Sequence, residues 1–376
     1  MNPASSRPRV RFKGTPLLDN IFRDQVILIT GAAGSVGQEL VRQLLPRQPA
    51  EIRGLDNNES EIFLMSDRLR DCAFTAFLGD VRDGQKVAAV ARGVDMIFHC
   101  AAFKHVVLSE YNPFDAVQTN IMGVQNVVQA SVDNGVKRVI FTSSDKAVNP
   151  TNVMGTSKLM GERLMTAANV VSRNHKQRFS SVRFGNVLGS RGSVLPIFLD
   201  QIKNGGPVTV TDPGMTRFIM SLQRAAQLVL EGAIMAQGGE VLVTKMRAVS
   251  IMDLARVLID LLAPRYGHDP LKVDIKIIGA KPGEKMYEEL MSAEEVGRSL
   301  ELEEMFVVLP AFRAIYRNID YSYSGETGRK VERPYNSGQE QLMSRRDIES
   351  FLRDNKLLPE DLLPAREGPR MTAAAS

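Results

Sequence analysis

Short unbroken apolar runs alternate with stretches in which apolar residues recur every three or four positions. Val26–Thr30, Ile52–Asp56, Phe74–Leu78, Val94–Cys100 and Val139–Thr142 are runs of strand length, separated by helical patterns such as the one running to Leu45. Strands buried on both faces read as continuous apolar runs, and their alternation with helices predicts βαβ units and a parallel sheet. Ser180–Phe184 predicts a sixth strand, after which strict alternation is lost. Glu240–Thr244 predicts a strand rejoining the main sheet, and Ser250 caps a helical pattern ending at Leu262. The expected fold is α/β, a Rossmann-type doubly wound parallel sheet with a smaller C-terminal lobe. The expected division is an arm at 1–24, a nucleotide-binding domain at 25–185 (with 238–262 rejoining it), a second lobe at 186–345 and a polar tail at 346–376.

The first strand runs into Gly31-Ala32-Ala33-Gly34-Ser35-Val36-Gly37 and then a helix. Glycines permit the tight turn and a close approach of backbone to a pyrophosphate, whose charge the N–H groups of the helix start receive. Asp56 ends the second strand, where an acidic side chain favours the ribose hydroxyl of NAD over the phosphate of NADP. No Arg follows Asp56, although Arg53 keeps NADP open. The fourth strand ends in Ala101-Ala102-Phe103-Lys104-His105, small residues that admit a cofactor and a lysine within reach of an anion.

The densest chemistry follows the fifth strand: Ser143, Ser144, Asp145 and Lys146, then Met154 and Lys158 opening a helix four residues apart and on one face. In nicotinamide-dependent short-chain dehydrogenases that pair is Tyr and Lys. None of the seven Tyr residues here has a Lys four positions later. Met154 is either packing or the mark of a site whose proton transfer has passed to Asp145 and Lys146. Further on, Arg183-Phe184-Gly185-Asn186 and Arg191 to Val194 suit a diphosphate, and Thr211 with Arg217, then Glu284, offer contacts to a nucleotide.

Composition narrows the classes. The chain of 376 residues is 44% hydrophobic and 24% charged, with net charge +4. Its pI near 9.0 fits an anionic small molecule, and without an aromatic-basic array it gives no case for nucleic acid. No apolar run reaches membrane-span length and no signal peptide opens the chain, so a cytoplasmic protein is expected. Cys72 and Cys100 lie beside apolar runs and are expected to be buried thiols. No metal site is expected.

Ser-Asp-Lys-Ala-Val-Asn-Pro-Thr-Asn-Val-Met-Gly from Ser144, Arg-Phe-Gly-Asn-Val-Leu-Gly-Ser-Arg-Gly-Ser-Val from Arg183, Lys-Pro-Gly-Glu-Lys to Lys285 and the Ala-Ala-Phe-Lys-His piece resemble the UDP-N-acetylglucosamine 4,6-dehydratases. These form the polysaccharide-biosynthesis branch of the extended short-chain dehydrogenases. The resemblance covers roughly residues 20–310 and includes members with Met at the Tyr position. It implies bound NAD, with NADP open, and a UDP-sugar turned into a 4-keto-6-deoxy product. It implies catalytic Ser144, Asp145, Lys146, Met154 and Lys158. On the cofactor it implies Gly31, Gly34, Ser35, Val36, Gly37, Asp56, Asp80, Val81, Ala101, Ala102, Lys104, Asn120 and Lys158. On the substrate it implies Lys104, Asn186, Arg191, Val194, Thr211, Arg217 and Glu284.

In such a cycle Lys146 is the expected base at C5, made neutral by burial and by the charges of Lys158 and the nicotinamide, with Asp145 the acid at O6. Ser144, Asp145 or a water on Lys158 then remains for the 4-hydroxyl. A 4-epimerase and a cofactor-binding regulator without catalysis are the competing readings. Large members carry an N-terminal membrane region, and this chain reads as the soluble catalytic part. The outer faces of Pro113–Gly135 and Thr151–Asn174 suit a second copy, so a homo-oligomer is expected, to be checked by mass in solution.

Overall fold

The computed structural model describes residues 21–171, 177–280, 283–316 and 319–359. Most of the expected arm, the end of the chain, and Lys281 and Pro282 lie outside these residues. Strand and helix alternate as the apolar pattern requires. The order is β1 (Val26–Thr30), α1 (Ser35–Leu44), β2 (Glu51–Asp56), α2 (Glu59–Arg68), β3 (Phe74–Leu78), α3 (Gly84–Val90) and β4 (Met96–His99). Then come α4 (Val106–Tyr111), α5 (Pro113–Val117), α6 (Gly123–Asn134), β5 (Arg138–Ser144), α7 (Val153–Val171), β6 (Arg178–Phe184) and β7 (Asn186–Val187). The remainder holds α8 (Val194–Lys203), β8 (Val208–Val210), β9 (Thr216–Met220), α9 (Leu222–Met235), β10 (Val241–Thr244), β11 (Arg247–Ser250) and α10 (Ile251–Leu262). It closes with β12 (Ile275–Ile277), β13 (Glu289–Met291), α11 (Ala293–Val296), β14 (Ser299–Leu302), β15 (Met305–Val308), β16 (Glu326–Lys330), β17 (Tyr335–Asn336) and α12 (Arg345–Asp354).

The main sheet runs β16-β14-β15-β10-β6-β5-β4-β1-β2-β3. From β3 to β10 all neighbours are parallel, and β15, β14 and β16 add antiparallel pairs at the far edge. This is a Rossmann-type sheet, and the chain reverses its direction of growth between β1 and β4, where such sheets open a cleft at their strand ends. One apolar core joins Ile27, Ile29 and Ile140 to α1 and α9; the other joins Leu28, Ile97 and Phe141 to α3, α6 and α7. The second lobe has its own core of α8, α10, α12 and β8, including Phe198, Leu254, Leu258, Ile348 and Leu352.

Three boundaries differ from the sequence division. Of 238–262 only β10 joins the main sheet; α10 turns its Leu254, Leu258 and Leu262 into the second core. Residues 299–330, expected in the second lobe, lengthen the main sheet through β14, β15 and β16. The expected polar tail holds α12, an amphipathic helix capped by Ser344 and Asp347, whose Ile348 and Leu352 are buried. The amphipathic pattern of α12, Asp347–Leu352, is present within the polar tail, but its packing on the second core is a long-range contact, as is that of α10, and the polar β16 carries no apolar run. Cys72 is exposed rather than buried, since it sits in the turn between α2 and β3.

One buried ion-pair network joins the sheet to the second lobe. Arg183, at the end of β6, is 1% exposed and makes paired hydrogen bonds to Glu162 of α7 and to Glu295 of α11, and a further one to the Leu290 carbonyl. Burial acts to raise the Glu295 carboxyl, yet the Arg183 charge and hydrogen bonds hold it at about 2. Replacing Arg183 by Ala leaves the buried Glu162 without its guanidinium partner and Glu295 with the more distant Arg298, 3.8 Å away, and breaking such a buried pair costs about 3–5 kcal/mol. Denaturant unfolding of Arg183→Ala against the native chain should show that loss; a change within about 0.5 kcal/mol, as at an ordinary surface site, would contradict it.

Candidate active site

The cleft at the strand ends is a cavity of about 960 Å³. Its dinucleotide side is built on Gly31, whose φ of +69° is left-handed and whose added Cβ would lie 2.7 Å from the Ala101 nitrogen. A Cβ on Gly37 would stand 2.2 Å from the Gly31 carbonyl oxygen, so turn, helix and fourth strand end fit only without side chains there. Gly31, Gly34, Ser35, Val36, Gly37, Asp56, Asp80, Val81, Ala101, Ala102 and Lys104 all line the cavity. The Asp56 carboxylate accepts from the Ala33 and Asn58 N–H groups, each at 2.9 Å, which fixes it at the end of β2. Arg53, which kept NADP open, is committed elsewhere: it pairs with Glu51 and donates to the Val90 and Arg92 carbonyls. The glycine cradle at the start of α1 and the carboxylate at the end of β2 are the donor and acceptor set that an NAD diphosphate and ribose require, so these residues fit the cofactor.

At the end of β5 the site becomes acidic and basic. Asp145 is 1% exposed; its Oδ1 accepts from Ser144 Oγ at 2.5 Å, the Lys146 N–H at 2.9 Å and Lys146 Nζ at 3.1 Å. Its Oδ2 is buried and has no partner among the described residues. Lys158 donates from Nζ to the Thr142 carbonyl at 2.9 Å and stands 4.5 Å over the Phe141 ring. Burial pushes Lys158 down to about 8, against the upward pull of Cys100 and Glu162. Met154 is buried one helical turn before it and also lines the cavity, as do Ser144, Lys146 and Asn186.

Lys146 departs from expectation. Burial does press its pKa down, but the charges of Asp145 and Glu288 and the Asp145 hydrogen bond outweigh that, so the amine lies above the ordinary lysine range. The opposing cation is Arg217 and not Lys158. Sequence reasoning missed Glu288: nothing in the chain marks it as buried beside Lys146 Nζ at 3.5 Å and Arg217 Nε at 3.4 Å.

The other site residues fall in three places. Arg191, expected on substrate, and Lys104, expected on both cofactor and substrate, lie against the dinucleotide turn: the Arg191 N–H faces Ser35 Oγ at 3.4 Å, its guanidinium pairs with Glu61 at 2.7 Å, and Lys104 donates to the Arg191 carbonyl. Arg217 reaches Glu284 at 3.5 Å, and neither they nor Val194 and Thr211 line the cavity. Asn120 sits in a π-helical turn, Gln118–Met122, and bonds the Phe103 backbone and Ser157 Oγ. Arg183, read with Asn186 as a diphosphate group, is consumed by its two buried carboxylates.

Residues 27–310 match the family described as polysaccharide biosynthesis protein. A protein of Methanocaldococcus jannaschii named an uncharacterized membrane protein is 47% identical over 90% of this chain and 98% of its own length. The inverting UDP-N-acetylglucosamine 4,6-dehydratase of Campylobacter jejuni is 38% identical over 83% of this chain and 91% of its own. The structure of Pen from Bacillus thuringiensis superposes with a TM-score of 0.82 at 38% identity, covering 90% of this chain and 99% of that one. UDP-glucose 4-epimerases of Rickettsia are also among the relatives. The chain belongs to this family of extended short-chain dehydrogenases, the nucleotide-sugar dehydratases and epimerases. Among the described residues no helix is long and apolar enough to cross a membrane.

With Asp56 fixed at the ribose end and Arg53 turned away, NAD should bind more tightly than NADP, and Asp56→Ala should narrow the difference. Titrating both cofactors into stripped protein checks this; a clear preference of the native chain for NADP would overturn it.

Proposed function

We propose that the chain is an NAD-dependent UDP-N-acetylglucosamine 4,6-dehydratase. The observation that carries this reading is the pair of buried Asp145 and half-buried Lys146 at the end of β5, with Ser144 hydrogen-bonded to Asp145, in a site where Met154 replaces the phenol. A 4-epimerase needs no separate base for C5 and acid for O6. The named activity of the Campylobacter relative supports the same choice.

Bound cofactor supplies the oxidant for C4 and the reductant for C6. Gly31 to Gly37, Asp56 and Lys158 would hold it. The chain's own groups then account for every proton. Ser144 faces the cavity with its hydroxyl proton already directed at Asp145, so it takes the proton of the sugar 4-hydroxyl as its own passes to Asp145. The ketone at C4 acidifies the C5 hydrogen, and Lys146 removes it as a neutral amine. Asp145 returns its proton through Ser144 to the departing 6-hydroxyl, which leaves as water. Lys146 gives its proton back to C5, and both groups end as they began. A thioether moves no proton, so Met154 contributes shape alone.

Incubation with UDP-N-acetylglucosamine should give a product lighter by one water, with a C6 methyl group in its proton NMR spectrum; a product of unchanged mass would identify a 4-epimerase instead. Lys146→Ala should lower dehydration by about a hundred- to ten-thousand-fold, the usual cost of losing one acid or base, while the absorbance of reduced nicotinamide builds up. Met154→Ala should cost far less. Equal damage from the two in folded, cofactor-bound protein would contradict these roles.

A further inference from the structure

Lys146 must act as a neutral amine, yet it rests as an ammonium between carboxylates. The proton it sheds needs an acceptor other than Asp145, which is occupied by the proton of the 4-hydroxyl, and solvent reaches only part of the Lys146 side chain, 24% exposed.

Glu288 is held where such a place is required. It is 5% exposed, and its backbone is fixed from both sides by Ser337: the Glu288 N–H donates to Ser337 Oγ at 3.0 Å, and the Ser337 N–H donates to the Glu288 carbonyl at 2.9 Å. The charged groups around the carboxylate are Asp145 and Lys146 after β5, Arg217 on β9 and Lys285 on its own segment. Two of these contacts are direct, Lys146 Nζ at 3.5 Å and Arg217 Nε at 3.4 Å. Arg217 also reaches Glu284 at 3.5 Å, so it is steadied on its far side.

We propose that Glu288 is a positioning residue that holds Lys146 charged between turnovers and takes its proton when the amine must act as base. The transfer breaks an N–H bond on Lys146, leaves its electron pair on nitrogen, and forms an O–H bond on Glu288. Net charge is unchanged, which is the cheapest kind of rearrangement in a buried site. Burial and the Asp145 charge keep the Glu288 carboxyl above the usual carboxylate range, against the pull of Lys146, Arg217 and Lys285, which suits an acceptor. At the end of the cycle the proton goes back by the same contact. The inference rests on the dehydratase reading of the site.

Glu288→Gln tests it in two ways. The first is titration of Lys146 by NMR in protein labelled at lysine Cε, with its signal assigned by loss in Lys146→Arg. Removing a carboxylate at this distance should lower the Lys146 midpoint by about one unit or more; an unmoved midpoint overturns the inference. The second is the pH profile of dehydration. Native enzyme should be flat around neutral pH, because the proton moves internally. Glu288→Gln should be slower there, by less than the about hundred- to ten-thousand-fold cost of a direct acid or base, and should climb with pH as solvent takes over. Glu288→Asp should restore part of the neutral rate. A Gln variant that is uniformly slow and flat with pH would mark a merely structural residue and overturn the inference. Titration needs no turnover, so the two readings fail separately: absent dehydration by native protein defeats the dehydratase, an unmoved midpoint defeats this role for Glu288.

Discussion

Arg183 is the anchor on which the geometry of the site depends. Its guanidinium is satisfied by Glu162 on α7 and by Glu295 and the Leu290 carbonyl from the segment around β13. Through Glu162 it reaches Ser143, whose hydroxyl donates to the same carboxylate at 2.5 Å. One cation thus fixes the end of β5, the helix carrying Met154 and Lys158, and the strap from 283 to 295. Buried ion pairs contribute little net stability over an apolar replacement, because desolvation offsets attraction. Their value here is orientation: a guanidinium fork accepts only one arrangement of its carboxylates.

That strap lies across the loop that follows β5. Thr151 and Asn152 side chains donate to the Gly283 carbonyl, Lys285 donates to the Val148 carbonyl and Glu289, and Asn149 donates to Glu289. Glu288 is carried inward by the same segment. The result is a cluster of two carboxylates and two cations, Asp145, Glu288, Lys146 and Arg217, near neutrality as a whole. Lys158 stands apart from it. Lacking a comparable pair of carboxylates, it is governed by burial and loses affinity for its proton, while Lys146 gains it. Two lysines twelve residues apart thereby take opposite charge behaviour from their surroundings alone.

Much of this was legible in the chain. Strands buried on both faces announce themselves as apolar runs, and β1 to β6 fell where the pattern put them. The glycine turn and the Ser144-Asp145-Lys146 loop carry local signatures, because their chemistry needs particular residues at fixed short spacing. What was hidden is long-range. Glu288 meets Lys146 across some 140 positions of chain, and Arg183 finds Glu295 across 112. Neither contact has a period or a motif. The charge on Lys146 was misjudged for the same reason, since burial can be read from an apolar flank but a distant carboxylate cannot. Strands β14 and β16 escaped because β14 is short and half polar and β16, at the sheet edge, is polar and exposed throughout.

The account turns on a proton leaving and returning at C5 of the sugar under the control of the Asp145–Lys146 pair. The direct measurement is the reaction of UDP-N-acetylglucosamine in deuterium oxide, with the product analysed by mass and by proton NMR at C5. Lys146 as an amine exchanges its hydrogens with solvent, so the dehydrated product should carry solvent deuterium at C5. A dehydrated product retaining its original hydrogen at C5, or a product with neither water lost nor deuterium gained, would contradict the account.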